Sequence, residues 1–349
     1  MIKTIAILAV SALALTACQD QAGGDSAAGA RDQIRAVGSS TVFPFATAVA
    51  EQFVNNNPGM KSPIIESTGT GAGMKLFCAG VGAGHPDIED ASRRMKASEF
   101  EDCQKNGVTD IIEVQVGIDG IAFAESKKGP KFKLTPKQIY EALAANPYGK
   151  PNTAEKWSDV DSSLPGIAIS VFGPPSTSGT RDAFSELVME KGCKSDPAME
   201  ALKKTDEDKF KDICTKVRED GKYVDSGEND NLIVQKLGAN PNAVGIFGYS
   251  FLEENQDSIN GIPLNDIEPT YDTIASGNYP GARPLYIYVK KAHVTAIPGL
   301  KEYLAEFAGA WGTDGYLVKR GLIAAPDAVR AASADAVKNL TVLQASSLK

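Results

Sequence analysis

The sequence predicts an α/β protein: a sheet with helices on its faces. Short apolar runs alternate with amphipathic stretches from Arg35 onward, and several runs end in a Ser/Thr/Gly cluster that leads into residues at helical spacing. A chain of 349 residues is long enough for roughly two domain-sized units, and 42% apolar residues suffice to fill their cores.

In chain order, Ala36-Val37 is a strand that ends at Gly38-Ser39-Ser40-Thr41. Val42, Phe45, Ala46, Val49, Ala50 and Phe53 then fall on one helical face, and Asn55-Asn56-Asn57-Pro58-Gly59 stops the helix. A strand over 63–65 runs into Ser67-Thr68-Gly69-Thr70-Gly71-Ala72-Gly73, with a helix expected from Met74. A strand near Ile88 ends in Ala91-Ser92-Arg93-Arg94, and a helix follows around 99–105. Residues 111–116 form a strand, and 118–124 are apolar enough for a buried one. Thr135 and Pro136 open a helix as N-cap and first helical residue. A strand over 167–172 leads into the loop 173–181, and Ala183, Phe184, Leu187 and Val188 give the next helix its apolar face. The polar stretch 191–222 reads as a helical excursion. Strands follow at 244–247 and 285–289, then helices at 300–311 and 324–340.

The N-terminus reads as an export signal over 1–17. Lys3 supplies the positive region, and 5–17 is apolar but shorter than the roughly 20 residues a bilayer requires. Leu15-Thr16-Ala17-Cys18 resembles the lipobox of bacterial lipoproteins, which would make Cys18 the lipidated first residue of the mature protein. Residues 18–32 follow as a flexible tether. Export permits disulfides. Cys78, Cys103, Cys193 and Cys214 allow three connectivities, and pairing by sequence proximity gives Cys78–Cys103 and Cys193–Cys214.

With 36 Lys+Arg against 44 Asp+Glu, the net charge of -8 disfavours nucleic acid as a partner. His85 and His293 are the only histidines, and no zinc-type ligand spacing is present, so no metal site and no cofactor are expected. Three strand–loop–helix junctions share one design: 38–41, 67–73 and 176–180. A helix start offers unpaired N–H groups and a partial positive charge, glycines allow close approach, and hydroxyls add donors. Each cluster alone is an ordinary helix cap; three together, with Arg93, Arg94 and Arg181 beside them, suit a tetrahedral anion.

Gly-Ser-Ser-Thr-Val-Phe-Pro (38–44), Gly-Thr-Gly-Ala-Gly (69–73), Ala-Ser-Arg-Arg (91–94) and Ser-Gly-Thr-Arg (178–181) resemble, in order, the periplasmic phosphate-binding component of the phosphate ABC transporter, the PstS-like family. Tyr279-Pro280 before Arg283-Pro284-Leu285-Tyr286 extends the match, which spans about 35 to 315. The resemblance implies a two-lobe periplasmic-binding-protein fold of the class II type, with the ligand cleft between lobes. Lobe I would comprise 33–117 and 275–349, and lobe II 118–274. It implies Ser40, Thr41, Thr70, Ser178, Gly179 and Thr180 as phosphate donors, an ABC permease as partner, and a monomeric, non-catalytic protein in the periplasm. Two positions depart from the family pattern. Arg93 stands where many members have an Asp that accepts the phosphate proton, and Pro174 stands where many have an Arg. Arg93 or Arg181 could supply the displaced guanidinium, and Asp119, Glu66 or Asp182 the acceptor. Sulfate, arsenate, molybdate or a phosphonate remain alternative ligands. A secreted phosphatase using Ser40 or Ser178 would need an activating base that neither histidine supplies in sequence.

Overall fold

The computed structural model describes residues 31–227 and 230–348. The export signal, Cys18 and nearly all of the tether lie outside the described residues. Nine strands are present among those described: β1 (Arg35–Gly38), β2 (Ile64–Ser67), β3 (Ile88–Ala91), β4 (Ile111–Ser126), β5 (Val171–Gly173), β6 (Tyr223–Asp225), β7 (Val244–Gly248), β8 (Ile259–Gly261) and β9 (Ala282–Lys290). Their order is β2-β1-β3-β9-β4-β7-β5-β6, with β8 also on β4. β1 pairs in parallel with β2 and β3, whereas β9 runs antiparallel to β3 and β4.

β4 joins two cores. Its first half faces β9, and Ile112, Val114 and Val116 enter one core with α1 (Phe43–Asn56) and the helix Leu300–Ala310. Its second half pairs with β7, and Ile121, Ala122, Phe123 and Ala124 enter another core with Phe184, Val188, Ile246 and Phe247. Ile323 and Ala325, from the C-terminal segment, also pack into this second core. The expected strands at 111–116 and 118–124 are therefore one. Gly117 does not break the strand: the register shifts there, and an added Cβ would meet the Leu322 side chain at 2.5 Å.

Local chemistry explains the helices. Phe45, Ala46, Val49, Ala50 and Phe53 of α1 are buried, and Phe53 meets Tyr303 edge-on at 5.8 Å. Each large side chain buried this way stabilises the fold by about 1.5–3 kcal/mol. α2 (Thr70–Phe77) begins four residues before the expected Met74, because Gly69 turns the chain at φ 78° and Gly73 N donates to Gly69 O. In α3 (Ala97–Lys105) Glu99 reaches back to accept from Lys96 N. In α4 (Pro136–Leu143) Thr135 accepts from Gln138 N, as its N-cap position predicts. Residues 167–170 do not extend β5. Trp157 N, at the start of α5 (Trp157–Val160), donates to Ile167 O, and Ile169 N donates to Glu155 O. α6 (Gly179–Phe184) continues without a gap through Ser185–Met189 into Glu190–Cys193. Cys78 is bonded to Cys103 and Cys193 to Cys214, the pairing by sequence proximity.

Candidate functional site

The parallel registers of β1, β2 and β3 place Gly38, Ser67 and Asp90 side by side, so three loops leave the sheet together at its carboxyl edge. Backbone hydrogen bonds tie them. Ser39 N donates to Asp90 O at 2.7 Å, and Gly38 O accepts from Thr68 N and Gly69 N at 2.9 and 2.7 Å. Ser39 is buried, and its Oγ accepts from Thr41 N and Val42 N at 3.1 and 3.3 Å, shaping the first loop. Ser40 beside it is half-buried. Thr70, the first residue of α2, lies against the third loop: its Oγ1 is 3.1 Å from Ser92 Oγ and accepts from Ser92 N at 3.1 Å. Ser40, Thr41, Thr70 and Ser92 thus share one wall of neutral donors.

Two acids stand behind that wall. Glu89 and Asp90 are buried, and neither carboxyl has a hydrogen-bond partner among the described residues. Burial, reinforced by Asp90, pushes Glu89 up to about 11; burial pushes Asp90 up to about 8. Both are therefore largely protonated at neutral pH and set no full negative charge behind the anion loops. The Glu89 carboxyl is accommodated by missing side chains: a Cβ on Gly73 would meet Oε2 at 2.2 Å, and one on Gly38 would meet Oε1 at 2.9 Å.

The second wall belongs to the other core. β5 ends at Gly173, and Ser178 caps α6 by accepting from Thr180 N at 3.2 Å, which presents Gly179 and Thr180 at the helix start. Arg181 is held on its own side, donating to Pro174 O at 3.2 Å and lying 4.5 Å from the Tyr223 ring centroid. Arg93 makes a two-pronged pair with Glu99 at 2.6 and 2.9 Å. Burial alone would raise Glu99, but hydrogen bonds from Arg93 and Lys96 N hold it below the usual value. Arg94 pairs with Glu113 at 2.7 Å, beside a cavity of about 480 Å³ that Gln115, Tyr286 and Ser333 also line. Its cation is already matched by a carboxylate.

Arg283 was not singled out as a site residue by sequence, yet it joins the two walls. It lies on β9 directly opposite Asp119 of β4, where both strands pass between the cores. Its Nη2 donates to Thr41 Oγ1 at 2.8 Å, its Nε to Asp119 Oδ2 at 3.3 Å, and its Nη1 to Glu186 Oε2. Thr41 accepts this bond and keeps its own hydroxyl proton to donate. Asp119 is raised by burial, which outweighs the pull of Arg283. Of the other candidate acceptors, Glu66 pairs with Arg35 at 2.7 Å, and Asp182 sits in the first turn of α6. The only sequence signal for Arg283 was its place in the Tyr279-to-Tyr286 motif.

A family model described as the PBP superfamily domain matches residues 23–310. The chain belongs to the PBP superfamily. Among its relatives, Protein SphX of Synechococcus elongatus is 31% identical over 276 residues, covering 76% of this chain and 71% of that protein. Phosphate-binding protein PstS of Staphylococcus epidermidis is 31% identical over 291 residues, covering 81% and 77%. A solved structure described as a possible phosphate binding protein from Planctomyces limnophilus is 28% identical, with a TM-score of 0.72 over 88% of this chain and 98% of that one. PstS from Borrelia burgdorferi, at 18% identity and a TM-score of 0.57, shares the fold. Within the superfamily this chain is a PstS-like member with the two-lobe fold, as the ordered loop motifs imply.

Proposed function

We propose that this PBP-superfamily chain captures inorganic phosphate in the cleft between its lobes and delivers it to an ABC-type permease. The observation that carries this reading is the convergence of three loops bearing Ser and Thr hydroxyls at one sheet edge, facing an arginine on the crossing strands. Ser40, Thr41 and Thr70 would donate from lobe I (33–117 and 275–349), and Ser178, Gly179 and Thr180 from lobe II (118–274). Hinge closure at β4 and β9 would bring the walls together and exclude water. The relatives named phosphate-binding protein, and the structural neighbour described in the same terms, support the choice of ligand. Asp119 supports it further. A buried carboxylate beside the anion accepts the proton of a protonated phosphate, whereas fully ionised sulfate offers none and is repelled. Asp119 would thus take the role vacated by Arg93 in the third loop. Arg93 and Arg181 become ligands only if they leave Glu99 and Tyr223.

The protein acts as a binder and not as an enzyme. Both histidines lie at the opposite end of the sheet: His293 on Asp87, and His85 against Gly80, far from Ser40 and Ser178. Among the described residues no helix is long and apolar enough to cross a membrane. We place the protein in the periplasm as a monomer, tethered to a membrane through lipid on Cys18. Thermal shift against a panel of oxyanions tests the ligand. Phosphate at 100 times its dissociation constant should stabilise the fold by about 2.7 kcal/mol, with sulfate giving less. No shift with phosphate, or a larger one with sulfate, rejects the assignment.

A further inference from the structure

We propose that Glu186 is a built-in stand-in for the anion: its carboxylate pairs with the Arg283 guanidinium, and phosphate must displace it to bind. The inference rests on the phosphate-binding reading and adds Arg283 as the site's cation and Glu186 as its competitor.

Three features of the geometry point there. First, the partners of Arg283 differ in how free they are to leave. Asp119 faces it across a continuous strand pair, and Thr41 belongs to the buried first loop. Glu186 alone comes from the other wall, two helical turns beyond Gly179. Second, the exposures are unequal. The Arg283 and Asp119 side chains are 9% and 17% exposed, and that of Glu186 is 50% exposed. Glu186 can therefore swing into solvent at little desolvation cost, while Arg283 must stay and be matched. Third, the chemistry is the same. A guanidinium N–H donates to a carboxylate oxygen or to a phosphate oxygen alike. Displacing Glu186 by singly charged phosphate exchanges one negative charge for another beside Arg283, and Asp119 can accept a hydrogen bond from the remaining O–H when the doubly charged form binds.

The placement of Glu186 also makes an interlobe tie. A strand-borne arginine holds the first donor loop through Thr41 and the second wall through Glu186. Phosphate would replace that tie with its own bonds to both walls. Affinity is then set by a competition within the protein as well as by the donors.

Calorimetry of the purified full chain with inorganic phosphate tests this. Glu186→Gln should bind about tenfold tighter than wild type, and Glu186→Ala at least as tightly as Glu186→Gln. Arg283→Gln should bind more than about tenfold weaker. Adding Glu186→Gln to Arg283→Gln should give no further gain, because no cation is left to release. Unchanged or weaker binding by Glu186→Gln overturns the proposal, as does a gain that persists without Arg283, which would reflect only the loss of a nearby negative charge. Should Arg283→Gln fail to fold, Asp182→Asn on the same helical run serves as the charge control, and a gain equal to that of Glu186→Gln overturns the proposal. A wild-type chain that binds no phosphate overturns the phosphate reading and this proposal together. Wild-type binding with no gain in Glu186→Gln overturns this proposal alone.

Discussion

The two ends of the β1–β3–β9 sheet handle buried charge in opposite ways. At the end away from the cleft, Asp87 is fully buried and saturated. It accepts from Arg31 Nη2 at 2.6 Å to both oxygens, from Arg35 N at 2.7 Å, and from His293 Nδ1 at 2.6 Å. Gly82 N donates to His293 Nε2 at 3.1 Å, which leaves the neutral ring's proton on Nδ1. Lys290 donates to Gly80 O at 2.6 Å and sits 4.9 Å from the Phe77 ring, and burial pushes its amine down to about 8. Near the cleft the acids on β3 are protonated, and Arg283 divides its donors among Thr41, Asp119 and Glu186. A buried charge matched entirely from one body stabilises that body. One matched from elements that can separate is available to a ligand.

The largest expected effect breaks the far end. Asp87→Ala leaves Arg31 without its carboxylate partner and His293 and Arg35 N without an acceptor, and should cost about 3–5 kcal/mol of folding stability. Phosphate affinity of the folded fraction should stay within about twofold. Chemical denaturation measures the first and calorimetry the second; a tenfold affinity loss would show that the two ends are coupled.

Next comes the pH response of the protonated acids. An acid raised in the native state binds a proton that the unfolded chain has already released. Stability therefore falls as pH climbs from the ordinary value of 3.8 to about 8 for Asp90. Asp90→Asn should remove that component, so its advantage over wild type grows up to about pH 8 and then levels off. Melting curves at several pH values follow this directly. Parallel profiles for the two proteins would mean that Asp90 is ionised in the native state.

The far end and the cleft were not equally legible in the sequence. Loop motifs at 38–41, 69–73 and 178–180 stood out because Ser, Thr and Gly do their work within a few residues of chain. The disulfides were legible for the same reason, with separations of only 25 and 21 residues. Arg283 was not, since Thr41, Asp119 and Glu186 lie 242, 164 and 97 residues away and only the strand crossing unites them. Glu89 and Asp90 sit in a strand expected near Ile88, but nothing local shows that both acids are buried. β6 and β8, at three residues each, are too short to display a period.

On the second wall, Thr180→Ala should weaken phosphate binding by about tenfold. A hydrogen bond to a charged partner is worth about 1.5–3 kcal/mol, and the backbone N–H groups at the start of α6 would compensate in part. The Ser178 cap on Thr180 N does not use the Thr180 side chain, so the melting temperature should barely move. Calorimetry showing full affinity would remove the second wall from the site.

The smallest effects belong to the two arginines that the sequence placed on the anion. Arg181→Ala loses a contact with the Tyr223 ring and a bond to Pro174 O, and should change phosphate affinity by less than about threefold. Its stability cost should be about 0.5–1 kcal/mol, the value of such a cation–ring contact near the surface. Arg93→Ala should likewise spare affinity and cost up to about 1 kcal/mol, because its partner Glu99 remains partly solvated. These small numbers discriminate sharply. If either variant binds phosphate tenfold more weakly, its guanidinium leaves Glu99 or Tyr223 when the anion arrives. The cleft would then carry two cations, and Glu186→Gln would give less than the tenfold gain expected for a site served by Arg283 alone.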